Sequence, residues 1–326
     1  VSEVTTAASS LGEAAALPGG HSVGLDVGGT KVLGVLLGPD GSIEGSVKLP
    51  TVRGPQGVVS SAARAVRSLT DAAGLEPAAL AGLGLGVPGL VDPQSGSVMH
   101  AVNLGIEGEP FALAHELSAI FGGIPVDVDN DLNVAALGAS HAMGADGQDL
   151  AFLALGTGLA AGIVLGGRLR RGVSGAAGEI GHIPINPDGP LCACGQRGCV
   201  ETYASGTALS ARWPSQSGRP APLELFEAAA AGNPEALRIK GEFAAAVASA
   251  VRILELTVDV RHVVLGGGVT GLGQPLLDAV QEALVAQAST SPFLSSLELE
   301  KRVSLAPSDV PVAAVGAAIA GRRKVS

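Results

Sequence analysis

Short apolar runs broken by glycine turns alternate along the chain with stretches whose apolar residues recur at helical spacing. Residues 23–50, VGLDVGGTKVLGVLLGPDGSIEGSVKLP, read as strand, glycine turn, strand, Pro-Asp-Gly turn and strand, an antiparallel meander. Over 55–73 the apolar positions Val58, Val59, Ala62, Ala63, Val66 and Leu69 follow the helical period, which predicts a helix laid on that sheet. The pattern then predicts a strand at 83–87, a hairpin at 90–99, a helix at 111–121, a strand at 125–128 and a helix at 132–143 opened by Asp131.

The second half repeats this grammar. Residues 151–169, AFLALGTGLAAGIVLGGRL, are again strand, glycine turn, strand and glycine turn. Helices follow at 244–258, 276–286 and 312–320, with a strand at 263–265. Two halves that open alike and continue as alternating helices and strands predict a duplicated α/β unit around a cleft, with a ligand between the two glycine turns.

Composition narrows the class. The chain has 326 residues, enough for two domains; 47% are hydrophobic and 15% charged, which excludes a disordered chain. The uncharged stretch 150–167 carries its glycines at turn-like spacing, so it reads as buried strands and no membrane span is expected. A net charge of −10 with only one Trp, one Tyr and six Phe argues against a nucleic-acid partner. Residues 1–21 lack a basic start and a sustained apolar core, and are expected to be a flexible tail rather than a signal peptide.

Chemistry concentrates in a few segments. Asp26-Val27-Gly28-Gly29-Thr30-Lys31 places a carboxylate at a strand end and two glycines in the turn, where freed N–H groups form an anion nest and Asp26 can hold Mg²⁺ through water. Gly156-Thr157-Gly158 is a second phosphate-type turn, and Gly267 and Gly268 follow a strand closely enough to admit a flat group. Two Gly-x-Gly-x-x-Gly matches, starting at Gly84 and Gly266, carry little weight in a chain with 48 glycines and open no clean βαβ unit. Asp127, Asp129, Asn130, Asp131 and Asn133 crowd a strand-to-helix junction with more polar side chains than capping needs; a carboxylate there can act as a base toward a substrate hydroxyl. His182, Cys192, Cys194 and Cys199 supply four N/S donors, a closed tetrahedral shell for a structural Zn²⁺, and the odd cysteine count reads as a cytoplasmic metal site rather than a disulfide framework.

The segments LDVGGTK, GVPGLVDPQSG, VDNDLNVAALG, LGTGLAAGIVLGGRLRRG, GEIGHIPINPDGPLCACGQRGCVETYASG and VVLGGG resemble the ROK family of bacterial sugar kinases and sugar-responsive repressors. The CxCGxxGCxE stretch preceded by Gly-His is specific to that family, and the resemblance spans residues 22–323. It implies the actin/hexokinase-like ATPase fold: a smaller α/β domain of 22–129 plus 311–326, and a larger one of 130–310 carrying the zinc loop. It also implies ATP, Mg²⁺ and structural Zn²⁺ as cofactors, a sugar and a nucleotide as small-molecule partners, and a homodimer or homotetramer. Carried over residue by residue, Asp131 is the base that deprotonates the sugar's primary hydroxyl. Gly89, Asn103, Asn130, Glu179, His182 and Glu201 hold the sugar, and His182 also serves the zinc. Asp26, Gly28, Gly29, Thr30, Lys31, Gly156, Thr157 and Gly158 face the phosphates, and Gly267 and Gly268 the adenosine. Leu132 stands where many members have Ala or Gly, and 105–109 departs from the usual pattern, which leaves the identity of the sugar open.

ATP-dependent phosphorylation of glucose at its primary hydroxyl is therefore the first expectation. A kinase for an N-acetylhexosamine, mannose, fructose or allose is the alternative. A non-catalytic sensor or repressor is disfavoured by the retained Asp131 and by the short stretch without Lys or Arg ahead of the first strand.

Overall fold

The computed structural model describes residues 4–5 and 19–323, so the tail expected over 1–21 lies mostly outside the described residues. Within it, the short strand β1 (Val4–Thr5) pairs antiparallel with Val47 and Ser46, a contact the sequence pattern did not anticipate. Two compact units divide the chain: 1–148 with 166–169 and 307–326, and 149–165 with 170–306.

The first unit begins with the meander β2 (Ser22–Val27), β3 (Lys31–Leu37) and β4 (Ile43–Pro50). α1 (Pro55–Ala73) starts at a proline that needs no N–H partner and ends at Gly74 in the left-handed conformation. Its apolar stripe, including Val58, Ala62, Val66 and Leu69, is buried against the sheet as the periodicity predicts. β5 (Gly82–Val87), the hairpin β6 (Leu90–Asp92) and β7 (Ser97–Met99), α2 (Leu113–Ile120), β8 (Val126–Asn130) and α3 (Asp131–Ala142) follow. The sheet runs β1-β4-β3-β2-β5-β8, antiparallel through the meander and parallel from β2 onward.

The second unit opens with β9 (Leu150–Leu155) and β10 (Leu159–Leu165), paired antiparallel. The two-residue strand β11 (Arg168–Leu169) is assigned to the first unit. Then come α4 (Glu201–Ala204), α5 (Gly206–Arg212), α6 (Ala221–Ala230), α7 (Pro234–Val258), β12 (His262–Gly266), α8 (Gln274–Ala288), α9 (Pro292–Leu297) and β13 (Val303–Leu305). β12 lies parallel to β9 on one side and to β13 on the other, and α7 buries Phe243, Val247, Val251 and Leu254 in this unit's core. α7 starts ten residues before the expected 244, because Asn233 caps it through Glu235 N and Ala236 N and Pro234 occupies the first turn.

The last helix, α10 (Val312–Arg323), returns to the first unit and packs on α3, β2 and β5. The approach is backbone to backbone. A Cβ on Gly316 would sit 1.7 Å from the Val134 carbonyl oxygen, one on Gly138 1.8 Å from that of Val312, and one on Gly84 1.7 Å from that of Ala317. This packing places α3 in the first unit, so the boundary falls after 148 and not at the expected 129/130. At its far end α10 buries Arg322, whose Nε donates to Ser22 Oγ at 2.7 Å and whose guanidinium also donates to the carbonyls of Leu37 and Gly38. Among the described residues no helix is long and apolar enough to cross a membrane.

The same substitution should act with opposite sign at two glycines. Gly316→Ala forces α10 away from α3 and should cost about 1–3 kcal/mol in denaturant melts. Gly241→Ala, exposed within α7 with nothing in reach of a new methyl, should instead stabilise by about 0.5–1 kcal/mol.

Candidate active site

In the first unit, β2 ends at Val27 and β3 begins at Lys31, so Gly28, Gly29 and Thr30 form the turn between antiparallel neighbours. Gly28 N donates to Lys31 O at 2.9 Å. Thr51, just past β4, clasps the turn from outside: its Oγ1 donates to Gly28 O at 2.7 Å and its N–H to Thr30 O at 3.1 Å. The sequence reading missed Thr51 as a support of this turn, since nothing local marks a contact 23 residues away. Asn103 lies against the same turn on the short helical turn Val102–Leu104; a Cβ on Gly29 would meet its carbonyl oxygen at 2.7 Å. Arg53 Nη2 donates to Val102 O at 2.9 Å and Gly54 N to Leu104 O at 2.7 Å, so the segment after β4 carries both the glycine turn and the Asn103 turn.

Asp131 is the first residue of α3 and the cap is Asn130, so the helix expected over 132–143 behind Asp131 starts one residue earlier. Asn130 Oδ1 accepts from Leu132 N at 3.0 Å, while its Nδ2 donates to Gly89 O at 3.3 Å, which joins two of the expected sugar-side residues. Asp131 Oδ1 also accepts from Leu132 N, at 2.9 Å. Withdrawal from solvent raises the Asp131 carboxyl above its ordinary value, against the pull of that bond. Asp26 is pushed up to about 6, first by burial and then by the Asp131 charge, with Lys31 opposing. Thr30, Lys31 and Asn103 are exposed.

In the second unit, the turn between β9 and β10 holds Gly156, Thr157 and Gly158, closed by Gly156 N donating to Gly158 O at 3.0 Å. Glu201 Oε2 accepts from Leu159 N at 2.9 Å, so the glutamate after the last cysteine is tied to this turn from 42 residues away. Gly206 N donates to Gly156 O at 2.7 Å. Gly267, at φ +87°, follows β12; a Cβ there would meet Leu155 O at 2.6 Å, whereas Gly268 faces open space. Glu179, exposed, precedes the helical turn Ile180–His182.

That turn leads into the four-donor cluster. One ligand atom each from His182, Cys192, Cys194 and Cys199 lies within 4.8 Å of the others. His182 Nδ1 is 3.7 Å from Cys192 Sγ, and Cys194 Sγ is 3.7 Å from Cys199 Sγ. Tetrahedral Zn²⁺ with bonds of about 2.3 Å to sulfur requires edges of about 3.8 Å, so the donor set and its spacing fit that metal. Gly198 has no room for a side chain: at φ +67° its Cβ would fall 1.6 Å from Asn186 O. Cys194 is exposed, and bonds from the Gln196 backbone and then its side chain lower its thiol to about 6; burial first, with the neighbouring thiols adding, pushes Cys199 up to about 12.

The turns, the capped acid and the Cys₃His knuckle are the features by which relatives can be compared. Residues 22–320 match the sequence profile of the ROK family. This chain belongs to the ROK family. It is 33% identical over 284 residues to a glucokinase of Streptomyces coelicolor, covering 81% of this chain and 87% of that one. It is 32% identical over 272 residues to an N-acetylmannosamine kinase of Citrobacter koseri, covering 82% and 89%. Among solved structures, the ROK family glucokinase of Streptomyces griseus in complex with glucose and AMPPNP superposes with a TM-score of 0.72 at 30% identity, covering 93% of this chain and 100% of that one. The fold is accordingly that of the ROK hexokinase-like ATPases.

A raised carboxylate destabilises the fold where it must ionise. Below pH 3.8 Asp26 is protonated in both folded and unfolded chains and costs nothing; as pH rises through that value to about 6 the unfolded chain ionises first, and the penalty is complete above about 6. Asp26→Asn should therefore stabilise the ligand-free protein at pH 7 by on the order of 2–3 kcal/mol, with no gain below pH 4 in paired denaturant melts.

Proposed function

We propose that this chain transfers the γ-phosphoryl group of ATP to the primary hydroxyl of a hexose, with glucose the first candidate and Asp131 the general base. That it is a sugar kinase follows from its family and its relatives; the acceptor and the residue roles are the proposal. The observation that carries it is the junction at Asn130–Asp131: a carboxylate withdrawn from solvent and raised in pKa, at the first turn of a helix whose cap is itself bonded to Gly89.

A primary hydroxyl is far too weak an acid to ionise at neutral pH, so it must lose its proton as it attacks. Leu132 N–H occupies Asp131 Oδ1, which leaves Oδ2 to receive that proton. Asn130, with Oδ1 and one N–H committed, keeps a second N–H for a sugar hydroxyl, and Asn103 would hold another. Backbone N–H groups of the turns at Gly28–Thr30 and Gly156–Gly158 would take up phosphate charge, and Gly267–Gly268 would lie along the adenosine. Asp26 would hold Mg²⁺, which when bound offsets negative charge on the phosphates. Glu179, His182 and Glu201 would bond ring hydroxyls, a polar set that rejects analogues leaving its members unpaired.

His182, Cys192, Cys194 and Cys199 would hold Zn²⁺ in a closed shell, so the metal would serve as a scaffold, fixing His182 at one end and, two residues past Cys199, Glu201 at the other. An N-acetylhexosamine is the second reading, supported by the likeness to N-acetylmannosamine kinase at almost the same identity and by the divergent segment 105–109.

Coupled ADP release with Mg-ATP, across glucose, mannose, fructose, allose, N-acetylglucosamine and N-acetylmannosamine, should give turnover on glucose; turnover on an acetylated sugar alone selects the second reading, and silence on all overturns both. Asp131→Asn should lower kcat by at least about 10²–10⁴-fold while sugar affinity, by calorimetry, stays within a few-fold; near-normal turnover would exclude Asp131 as base. Cys194→Ser should lose zinc by metal analysis and weaken sugar binding while nucleotide still binds. Unchanged sugar affinity in a zinc-free protein would refute the scaffold role.

A further inference from the structure

We propose that Asp129 is a positioning residue for phosphoryl transfer, gripping the chain on both sides of Asp131 so that the base is presented in one orientation. The proposal rests on the reading of Asp131 as the base.

Asp129 is 2% exposed, an unusual place for a carboxylate, and its burial is matched by donors. Oδ1 accepts from Asn130 N at 2.8 Å and from Asn133 Nδ2 at 2.8 Å. Those donors bracket Asp131: one is the backbone N–H of the residue immediately before it, the other a side chain two residues after it. With Asn130 Oδ1 on Leu132 N and Asn130 Nδ2 on Gly89 O, the torsions that aim the Asp131 side chain are closed in by bonds from both directions.

Sterics act from a third side. β5 and β8 are parallel neighbours with Gly86 opposite Asp129, and a Cβ on Gly86 would meet Val134 Cγ2 at 2.4 Å and Asp131 Cα at 3.3 Å. The first turn of α3 thus lies directly on β5. Helix capping does not explain Asp129, since Asn130 already discharges it. What the Asp129 bonds add is rigidity at the residues on either side of Asp131, Asn130 and Asn133, where a misplacement of about 1 Å is enough to cost about 10²-fold in rate.

A purely structural role and a positioning role differ in kinetics. Steady-state rates with the sugar that the wild type phosphorylates should be measured for Asp129→Ala, Asp129→Asn, Asp131→Asn and the double variant Asp129→Ala/Asp131→Asn, each checked for folding by thermal melt. Asp129→Ala should fold, lose about 10²-fold in kcat and keep the KM for ATP within about two-fold. Asp129→Asn retains an acceptor Oδ1 and should recover to within about ten-fold of wild type. Added to Asp131→Asn, Asp129→Ala should cause no further loss, because it acts through the group already removed. Near-normal kcat in folded Asp129→Ala, or an equal fractional loss on the Asp131→Asn background, would overturn the proposal. If Asp129→Ala does not fold, Asn133→Ala, which removes one of the donors, is read by the same criteria. Failure of the underlying reading looks different: Asp131→Asn would then remain active, whereas failure of the clamp leaves Asp131→Asn inactive and Asp129→Ala active.

Discussion

The approach of α10 to α3 and β5 with no Cβ at the points of contact sets the geometry of the first unit. Gly138 and Gly316 each face a backbone carbonyl of the opposing helix, and Gly84 faces one of α10 from the sheet. Helices separated by ordinary side chains lie about 8–10 Å apart; removing the side chains at the crossing lets main chains touch and spreads dispersion contact along the whole interface. α3 is consequently held along its length, and its first turn, which carries Asp131, inherits that rigidity. Arg322 closes the far end of α10 by bonding strand-end carbonyls, a burial that its donors make tolerable.

Within that frame the unit concentrates carboxylates where solvent is scarce. Burial raises both Asp26 and Asp131, the Asp131 charge raises Asp26 further, and Asp129 is buried but satisfied. Groups held this way destabilise or constrain the ligand-free protein. The glycine turn at 28–30 is supported from elsewhere in the chain, by Thr51 through Gly28 O and by the Asn103 turn packed against Gly29.

The second unit solves a different problem, holding a loop that is almost devoid of regular structure. Between β11 and α4 the chain makes one short helical turn, isolated bridges at Pro184–Cys199 and Leu191–Arg197, and the Cys₃His cluster. The four donors of that cluster offer a metal shell in place of the hydrophobic core that such a segment is too short to build. Glu201 then leaves the knuckle in α4 and reaches Leu159 N, so the metal loop and the β9–β10 turn are mechanically one piece.

Much of this was legible in the chain. Alternation and helical spacing located the meander, α1 with both its ends, and the strand–turn–strand openings of both units, because those elements are decided by neighbours in sequence. The cysteine spacing pointed to the cluster that the structure brings together with His182. Asn233-Pro234 was a readable start for α7 that the apolar pattern alone overlooked. Other features had no local signature. That α3 belongs with the first unit, that Thr51 supports Gly28 and that Asp129 is buried all follow from contacts between segments far apart in the chain. Residue type and period determine which elements form and what chemistry they carry; which polar atom is desolvated, and toward what it points, is decided only when distant backbones come within a bond's length of one another.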